Sequence, residues 1–304
     1  RGLHEATIEA WVKWERFGYW SSWFASGEPT SLILICNFNR SPDLTFSIWP
    51  RIEPKQSLRA DGVLRLGQWC HIAAICGPAG MKLHLNGVLV ATNSFTGSFS
   101  SLNAGGRNLA GRSNRPAVVG DVDFRGQLDE IRVWNAARTD EQIRENMFRA
   151  LTGEEPDLVG LWNFEDRAKD AGPGHHAGEI RGNAKVVDSR LPSAGELSIP
   201  FVLSGIVTGP SGGPLPKAEL RLTCRDREIA RTVADESGRY RMTAYPAEGA
   251  YDLSTTAGHF GVALTNLDLR PGEIRQCHLR LSDQTSISGR VLALDKTPLS
   301  SVAV

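Results

Sequence analysis

Residues 126–143 read GQLDEIRVWNAARTDEQI, and in them an alternating strand pattern runs directly into a helix start. Successive side chains of a strand point to opposite faces, so Asp129 is expected beside Ile131 and Val133. Glu130 is then expected on the other face. A carboxylate on an apolar face is costly unless it is hydrogen-bonded, paired or bound to a metal. The stretch therefore predicts a half-buried strand whose Asp129 needs a compensating partner.

The helix after this strand is expected to begin at Thr139. The letters TDEQ match a capping box, in which the Thr139 hydroxyl caps the helix and Gln142 reaches back. Ile143 and Met147 then share one face, which is expected to pack on the sandwich edge. The polar face indicates solvation, so this helix is interpreted as structural.

Most of residues 1–188 consists of short alternating segments. TIEAWVKW at 7–14 alternates apolar and polar positions, and MKLHLNGVLVATN at 81–93 sets Asn86-Gly87 between two apolar runs. The second pattern predicts a hairpin with a type I′ turn. Helical sequence is scarce and the strand spacing is typical of antiparallel sandwiches, so the chain is predicted to be all-β. Further strands are expected at residues 31–37, 44–49, 69–76, 117–120, 127–134 and 158–164.

Composition limits the classes of partner. The chain has 304 residues, enough for two domains, and its 31 Gly and 16 Pro indicate many turns. Lys+Arg and Asp+Glu are 34 each, so net charge gives no reason to expect nucleic acid or an anionic membrane surface. No segment approaches the roughly 18 to 20 consecutive apolar residues of a membrane span. No membrane insertion is expected within this chain.

The five cysteines show no C-x-x-C spacing, so no zinc site is indicated. Cys70 and Cys76 lie in one predicted strand, roughly 20 Å apart at about 3.3 Å per residue. A disulfide needs Cα atoms within about 7 Å, so these two are not expected to pair. Cys224 and Cys277 either pair within the second domain or, like the others, act as small buried apolar residues.

Residues 189–200 lack an apolar period and are rich in Pro, Ser and Gly, which predicts a linker. The stretch LSGIVTGPSGGPLPKAEL at 203–220 then aligns without a gap on ISGRVLALDKTPLSSVAV at 287–304, at a period of 84 residues. A period of that size indicates a whole domain. The second domain is therefore expected at 201–283, with the start of a second, truncated copy at 284–304, and the chain is expected to be a fragment of a longer protein.

Three ordered blocks carry a resemblance over residues 1–188. They are GQWCHIAAICGPAGMKLHLNGVLVATN at 67–93, FRGQLDEIRVWNAARTDEQIRENM at 124–147 and LVGLWNFEDRAKDAGPGHHAGEI at 158–180. Together they resemble the laminin-G-like jelly-roll domain of the concanavalin A-like lectin/glucanase superfamily. Members usually carry one more strand at the start, which this chain is expected to lack.

The second domain resembles another family. SGIVTGPSGGPLPKAELRL at 204–222, TVADESGRYRM at 232–242 and YDLSTTAGHFG at 251–261 look like the carboxypeptidase regulatory-like domain. That family is a small seven-stranded sandwich of immunoglobulin or transthyretin type. Both resemblances imply extracytoplasmic binding or spacer modules.

The sequence argues against glycoside hydrolysis. Retaining glucanases of this fold carry Glu-x-Asp-x-Glu on one strand, which sets two carboxyl groups about 5 to 5.5 Å apart across the sugar. Here Gln127 and Ile131 stand where the two glutamates belong. The letters GPSGG at 209–213 fit G-x-S-x-G, but the glycines and proline after Ser211 prevent the helix of a nucleophile elbow. The chain is therefore expected not to be an enzyme.

The laminin-G resemblance suggests a Ca²⁺ ion held by Asp129 and Asp170 at the sandwich rim. Carboxylates on a flexible loop suit calcium, which takes oxygen ligands. Two other partners for Asp129 stay open: backbone N–H groups of a crossing loop, or an arginine such as Arg112 or Arg125.

Trp11 is the candidate ligand-binding aromatic residue. It shares a strand face with Glu9 and Lys13, opposite the apolar Ile8, Ala10 and Val12, so it is placed to stack on a sugar. Core packing is the alternative for this and for the other strand tryptophans.

The expected function is non-catalytic binding of carbohydrate or a cell-surface glycoconjugate. The expected location is extracellular, on the cell surface or periplasmic. Two alternatives stay open: the ligand-sensing extracytoplasmic region of a membrane-anchored bacterial regulator, and a structural stalk that binds protein partners in cell adhesion.

Overall fold

The computed structural model describes residues 2–103, 105–115 and 120–283 and is nearly all strand, as predicted. The expected truncated copy at 284–304 and most of the strand expected at 117–120 lie outside the described residues. Among its described residues the first domain has eleven strands, one α-helix, α1 (Asp140–Asn146), and a short 3-10 helix at Phe99–Ser101. The strands are β1 (Ala6–Arg16), β2 (Ser22–Glu28), β3 (Ser31–Asn37), β4 (Leu44–Ile48), β5 (Gln56–Ala60), β6 (Trp69–Cys76), β7 (Met81–Leu85), β8 (Val88–Asn93), β9 (Arg107–Ala110), β10 (Arg125–Trp134) and β11 (Leu158–Trp162).

Two antiparallel sheets face each other in this domain. One has six strands in the order β11-β10-β1-β6-β7-β8, and the other has five in the order β5-β4-β3-β2-β9. Their facing side chains form one apolar core, to which each sheet contributes every second residue. The sandwich therefore has two outer faces, one per sheet, on which a ligand site can lie.

A bulge in β10 decides where Asp129 points. Glu9 pairs with Arg132 and Trp11 pairs with Asp129, so β10 has one more residue than β1 between these pairs. The extra residue is Glu130, which takes a left-handed φ of 51°.

The bulge reverses the expected alternation. Leu128, Ile131 and Val133 all face the core, whereas Asp129 lies on the outer face opposite Trp11. The prediction that Asp129 shares a face with Ile131 and Val133 is therefore wrong, because one inserted residue exchanges the two faces of a strand.

Helix α1 begins as its capping box predicts. The Thr139 hydroxyl accepts the Gln142 N–H at 3.2 Å, and the Gln142 side chain accepts the Thr139 N–H at 2.9 Å. Ile143 is fully buried and Met147 nearly so, against side chains of β1 and β6. The apolar stripe therefore packs on the outer face of the six-stranded sheet rather than on the sandwich edge, because β1 and β6 are central strands.

The second domain is a small sandwich of two sheets. Its strands are β12 (Phe201–Thr208), β13 (Glu219–Cys224), β14 (Arg227–Val233), β15 (Arg239–Ala244), β16 (Tyr251–Ala257), β17 (Phe260–Leu267), β18 (Ile274–Gln276), β19 (Leu279–Arg280) and β20 (Ser282–Asp283). One sheet has the order β15-β12-β18, with β19 also beside β12, and the other has the order β14-β13-β16-β17-β20. In the turn into β15, Asp235 accepts the N–H groups of Ser237 and Arg239.

The second domain packs against the end of the first. The Arg241 guanidinium donates to the carbonyls of Leu89 and Val90, at 2.7 Å for the Nε bond to Val90. The Tyr245 hydroxyl donates to the Val63 carbonyl at 2.8 Å. These contacts join the two domains through side chain to backbone hydrogen bonds.

All five cysteines are described and none is in a disulfide. Four are buried and Cys277 is partly exposed. Burial raises the pKa of the Cys70 thiol to about 12 and that of Cys76 to about 11, so both stay protonated. No helix among the described residues is both long and apolar enough to cross a bilayer.

Candidate functional site

The predicted ligand-binding face of β1 is mostly buried. Trp11 is 1% exposed and Glu9 is 0% exposed. The Trp11 indole donates to the Met147 carbonyl at 2.8 Å, and the Glu9 carboxylate accepts the Trp134 indole N–H at 2.9 Å. The expectation that Trp11 and Glu9 face a ligand is therefore corrected, because the segment around α1 covers them.

Arg132 holds the helix over this face. Its guanidinium donates to the carbonyls of Asn146 at 2.9 Å and Arg149 at 2.7 Å, near the C-terminal end of α1. A cation is favourable at a helix C-terminus. The Arg132 guanidinium also donates to the Glu130 carboxylate at 2.8 Å. Burial raises the pKa of Glu9, and the nearby Arg132 opposes that rise. The network thus fixes the helix to the sheet.

Lys13 is the member of the predicted face that stays near solvent. Its ammonium lies 5.0 Å from the ring centroid of Trp69. Trp69 lines a cleft of about 420 Å³ between the first domain, the coil before β12, and Tyr245 of the second domain. We call this the junction cleft, and its volume is within the range of small-molecule sites. Other residues that line it are Arg65, Gln68, Asn86, Pro192, Glu196 and Ser198.

Asp170, the first of the two predicted calcium ligands, is held by nitrogen donors. Its Oδ1 accepts the N–H groups of Leu161 and Gly172, both at 2.8 Å. Its Oδ2 accepts the His176 backbone N–H at 2.8 Å and lies 2.9 Å from the His176 Nδ1. Burial raises the pKa of Asp170, but these hydrogen bonds outweigh burial and hold its pKa below the usual value. The carboxylate thus ties the segment after Asp170 to the free edge of β11.

Asp129, the second predicted ligand, is half-buried on the outer face of the six-stranded sheet. Its Oδ1 accepts the N–H of Glu130 at 2.8 Å. Burial raises the pKa of Asp129 to about 6, and the carboxylates of Glu130 and Glu165 add to the rise. Neither Arg112 nor Arg125 pairs with it; they pair with Asp123 and Glu15 instead.

These two acids do not fit a calcium site in this structure. Calcium takes six to eight oxygen ligands, and both oxygens of Asp170 are occupied by N–H donors. Within the described residues, no group of three or more His, Cys, Asp and Glu side chains is placed to hold a metal ion. Calcium binding stays a prediction from the family resemblance, for which a melting experiment is the test.

The outer face of the five-stranded sheet carries an aromatic surface. Leu32, Leu34 and Cys36 of β3 are 0 to 1% exposed and form its floor. Trp20 and Trp49 pack on this floor and are themselves partly exposed. An indole that is supported on one side can stack on a flat apolar ligand surface through its other side.

Cations lie against these rings. The Lys55 Nζ is 4.9 Å from the Trp20 ring centroid and 5.1 Å from that of Trp49. The Arg115 guanidinium is 4.9 Å from the Trp49 centroid, and the ring of Phe38 is 4.8 Å from that of Trp20. We call this surface the aromatic–cation face. Its members are Tyr19, Trp20, Phe38, Arg40, Trp49, Lys55, Arg59 and Arg115.

Acidic side chains neutralise part of this face. Arg59 pairs with Asp43 at 2.7 Å and also with Asp61. The Arg115 Nε lies 3.4 Å from the Asp121 carboxylate, whose side chain is 3% exposed. Burial raises the pKa of Asp121, and the nearby Arg115 lowers it.

Sequence reasoning missed the aromatic–cation face, although a signal for it exists. The outward alternation of β4 continues to Trp49, one residue past the strand end, and that of β5 begins at Lys55, one residue before the strand start. The two side chains therefore belong to the sheet surface although both lie in the connecting loop.

Fold and surface together define a β-sandwich with an open aromatic surface, followed by a second small sandwich. Residues 2–144 match the family model of the concanavalin A-like lectin/glucanases superfamily. Residues 202–282 match that of the carboxypeptidase regulatory-like domain. The chain thus contains a concanavalin A-like domain followed by a carboxypeptidase regulatory-like domain. No curated protein matches the sequence.

Several solved structures are similar to part of the chain. A proposed carbohydrate-binding protein of Bacteroides ovatus has 18% identity and a TM-score of 0.44, over 53% of this chain and 46% of that one. Domain 4 of AbnA, an extracellular GH43 arabinanase of Geobacillus stearothermophilus, solved with arabinotriose, has 22% identity and a TM-score of 0.41, over 47% and 66%. The CBM40 of a Ruminococcus gnavus IT-sialidase has 19% identity and a TM-score of 0.41, over 47% and 83%. The chain thus spans about half of the length of the first of these proteins.

Proposed function

We propose that the first domain binds carbohydrate without catalysis, through the aromatic–cation face. The observation that carries this proposal is the pair of partly exposed indoles, Trp20 and Trp49, on the outer face of the five-stranded sheet. A sugar ring presents apolar C–H groups to an aromatic face, and its hydroxyl groups need hydrogen-bond partners at the edge. Lys55 and Arg115 supply donors beside the rings.

The absence of catalysis is part of the same proposal. Gln127 and Ile131 replace the two glutamates of the glucanase pattern. The bulge at Glu130 also turns the β10 acids away from a common face, and β10 belongs to the six-stranded sheet rather than to the sheet that bears the indoles. A pair of carboxyl groups across one bound sugar is therefore not available by that route.

For the second domain we propose a spacer role, within a larger extracellular, cell-surface or periplasmic protein. Support comes from the contacts of Arg241 and Tyr245 with the backbone of the first domain, which limit the relative motion of the two domains. We divide the chain into domains at 1–188 and 201–283, joined by 189–200. Asn86 donates to the Ser198 carbonyl at 2.7 Å, so the joining segment is itself attached to the first domain.

Isothermal titration calorimetry against a panel of neutral and acidic oligosaccharides tests the binding proposal. Trp49→Ala should weaken binding by about tenfold or more, since it removes one stacking surface. Trp69→Ala is the matched control, because it removes a partly exposed indole at the junction cleft beside Lys13.

The outcomes separate the two surfaces. Binding that survives Trp49→Ala and is lost in Trp69→Ala would move the site to the junction cleft and restore Lys13 as a binding residue. Wild-type protein that binds no member of the panel would contradict carbohydrate binding itself. Release of reducing sugar that disappears in Glu130→Gln would contradict the absence of catalysis.

A further inference from the structure

Most of the charges on the aromatic–cation face cancel, but two cations do not. Arg59 and Arg115 each have a carboxylate partner, whereas Lys55 and Arg40 form no ion pair with any described residue. Because Asp61 as well as Asp43 pairs with Arg59, the four cations of the face (Arg40, Lys55, Arg59 and Arg115) are matched by three carboxylates. The face therefore keeps one net positive charge, although the whole chain has a net charge of zero.

Lys55 has a special place on the face. Its Nζ lies about equally far from the two indoles, 4.9 Å from the Trp20 centroid and 5.1 Å from the Trp49 centroid. An ammonium has three N–H donors, and no described residue accepts a hydrogen bond from Lys55. The residue is exposed at the surface, although partial burial lowers the pKa of its ammonium and the nearby Asp121 raises it, so its donors can reach a ligand that lies on the rings.

From this geometry we infer that the face selects saccharides with an acidic substituent, a carboxylate or a sulfate ester, and that Lys55 pairs with it. The inference rests on the proposed carbohydrate binding. A sugar ring stacked on either indole places its substituents within reach of the ammonium between them. A charge-assisted hydrogen bond is about twice as strong as a neutral one, so the acidic form of a sugar gains more at this position than its hydroxyl or ester form.

The other acids near the face do not cancel this preference. Asp43 and Asp61 are both paired with Arg59, and Asp121 is covered and paired with Arg115. Arg40, over the ring of Tyr19, offers a second unpaired cation to a longer acidic chain.

The test compares ligands that differ only in charge, using the chain as it stands. One pair is an oligogalacturonate and its methyl ester, and the other is a sulfated oligosaccharide and its desulfated form. Titration calorimetry should show the acidic member of a pair binding about tenfold tighter at low salt. This advantage should shrink as salt rises from about 50 mM to about 500 mM. The two pairs distinguish a carboxylate from a sulfate preference.

Three variants locate the effect. Lys55→Gln should remove most of the advantage of the acidic form over the neutral form, whereas Lys55→Arg should keep the advantage. Lys185→Gln, an exposed lysine on the coil after β11, is the matched control and should behave as the wild type.

Equal affinity for the charged and neutral members would overturn the inference while leaving carbohydrate binding intact. Retention of the full advantage in Lys55→Gln would overturn it as well. If neither member of either pair binds, the inference is wrong, and the panel of neutral and acidic oligosaccharides decides separately whether carbohydrate binding is wrong as well.

Discussion

Replacing Asp170 by Asn should destabilise the first domain through hydrogen bonds alone. The carboxylate is 1% exposed, and each of its oxygens faces two nitrogens of the segment around β11. An amide keeps the size of the side chain but turns one of the two acceptor oxygens into an NH₂ donor. If the amide nitrogen faces Leu161 and Gly172, two buried N–H groups lose their acceptor. If it faces His176, one partly buried backbone N–H loses its acceptor, and the His176 Nδ1 can accept a hydrogen bond from the new NH₂.

The cost follows from the number of lost bonds. A buried donor left without its partner costs about 1 to 3 kcal/mol, and the less costly amide orientation leaves one such donor, so Asp170→Asn should cost about 1 to 3 kcal/mol. Asp166→Asn is the matched control. Its side chain is 76% exposed and pairs only with Lys169, so its removal should change the free energy of unfolding by less than about 0.5 kcal/mol.

Urea unfolding, followed by tryptophan fluorescence, measures the difference in free energy of unfolding between the wild type and each variant. The slope of that free energy against urea concentration should not change if the substitution affects stability alone. The hydrogen bonds hold the pKa of Asp170 below its usual value. Its stabilisation is therefore present above the unfolded-state pKa of about 3.9 and is lost as pH falls through the lower folded-state value. The difference in free energy of unfolding between wild type and Asp170→Asn should disappear in that acidic range.

Two results would refute this account: a loss of less than about 1 kcal/mol in the free energy of unfolding of Asp170→Asn near pH 7, or a difference from wild type that does not change with pH.

The calcium prediction is tested on the same samples. If Asp129 and Asp170 hold calcium, adding it after EDTA should raise the melting temperature with concentration, and Asp129→Asn should abolish the increment. The hydrogen-bond account instead expects identical melting curves in EDTA and in millimolar calcium.

Arg132→Met should lower the free energy of unfolding by about 3 to 5 kcal/mol, because it leaves the buried Glu9 carboxylate without its cation. A urea midpoint close to that of the wild type would contradict this role. For Asp129, burial and the nearby Glu130 raise the pKa to about 6, so the folded state favours the protonated acid. Wild-type melting temperature should therefore fall relative to Asp129→Asn as pH rises from about 4 to about 6, and parallel profiles would refute this. Limited trypsin digestion should cut first in the exposed coil that ends near Arg190, and an initial cut inside β6 or β10 would argue against the proposed domain division.

Local chemistry explains what the sequence predicted correctly. Asn86 and Gly87 both take a positive φ in the predicted hairpin turn, at 51° and 77°. Thr139 and Gln142 exchange the two hydrogen bonds of the capping box. These features, like the apolar alternation of the strands, depend on residues within a few positions of each other, and so the all-β class and the helix start were available from the sequence.

The position of Asp129 was not available, because it depends on pairing between strands. Alternation predicts the face of a residue only while the strand is regular. The bulge that accommodates Glu130 is set by the register of β10 against β1, whose residues are more than a hundred positions away.

Sequence by itself thus determined most strands of the first domain, though not β2, β5 and β9, together with the helix cap and the two domain families. Tertiary structure alone decided which sheet face stays open: α1 and its anchor Arg132 cover Trp11, whereas Trp20 and Trp49 remain partly exposed on the other sheet. The physical reason is that side-chain alternation is a local property of one strand. The covering of a sheet face depends instead on which distant segments pack on it, and a single sequence does not encode that in any local pattern.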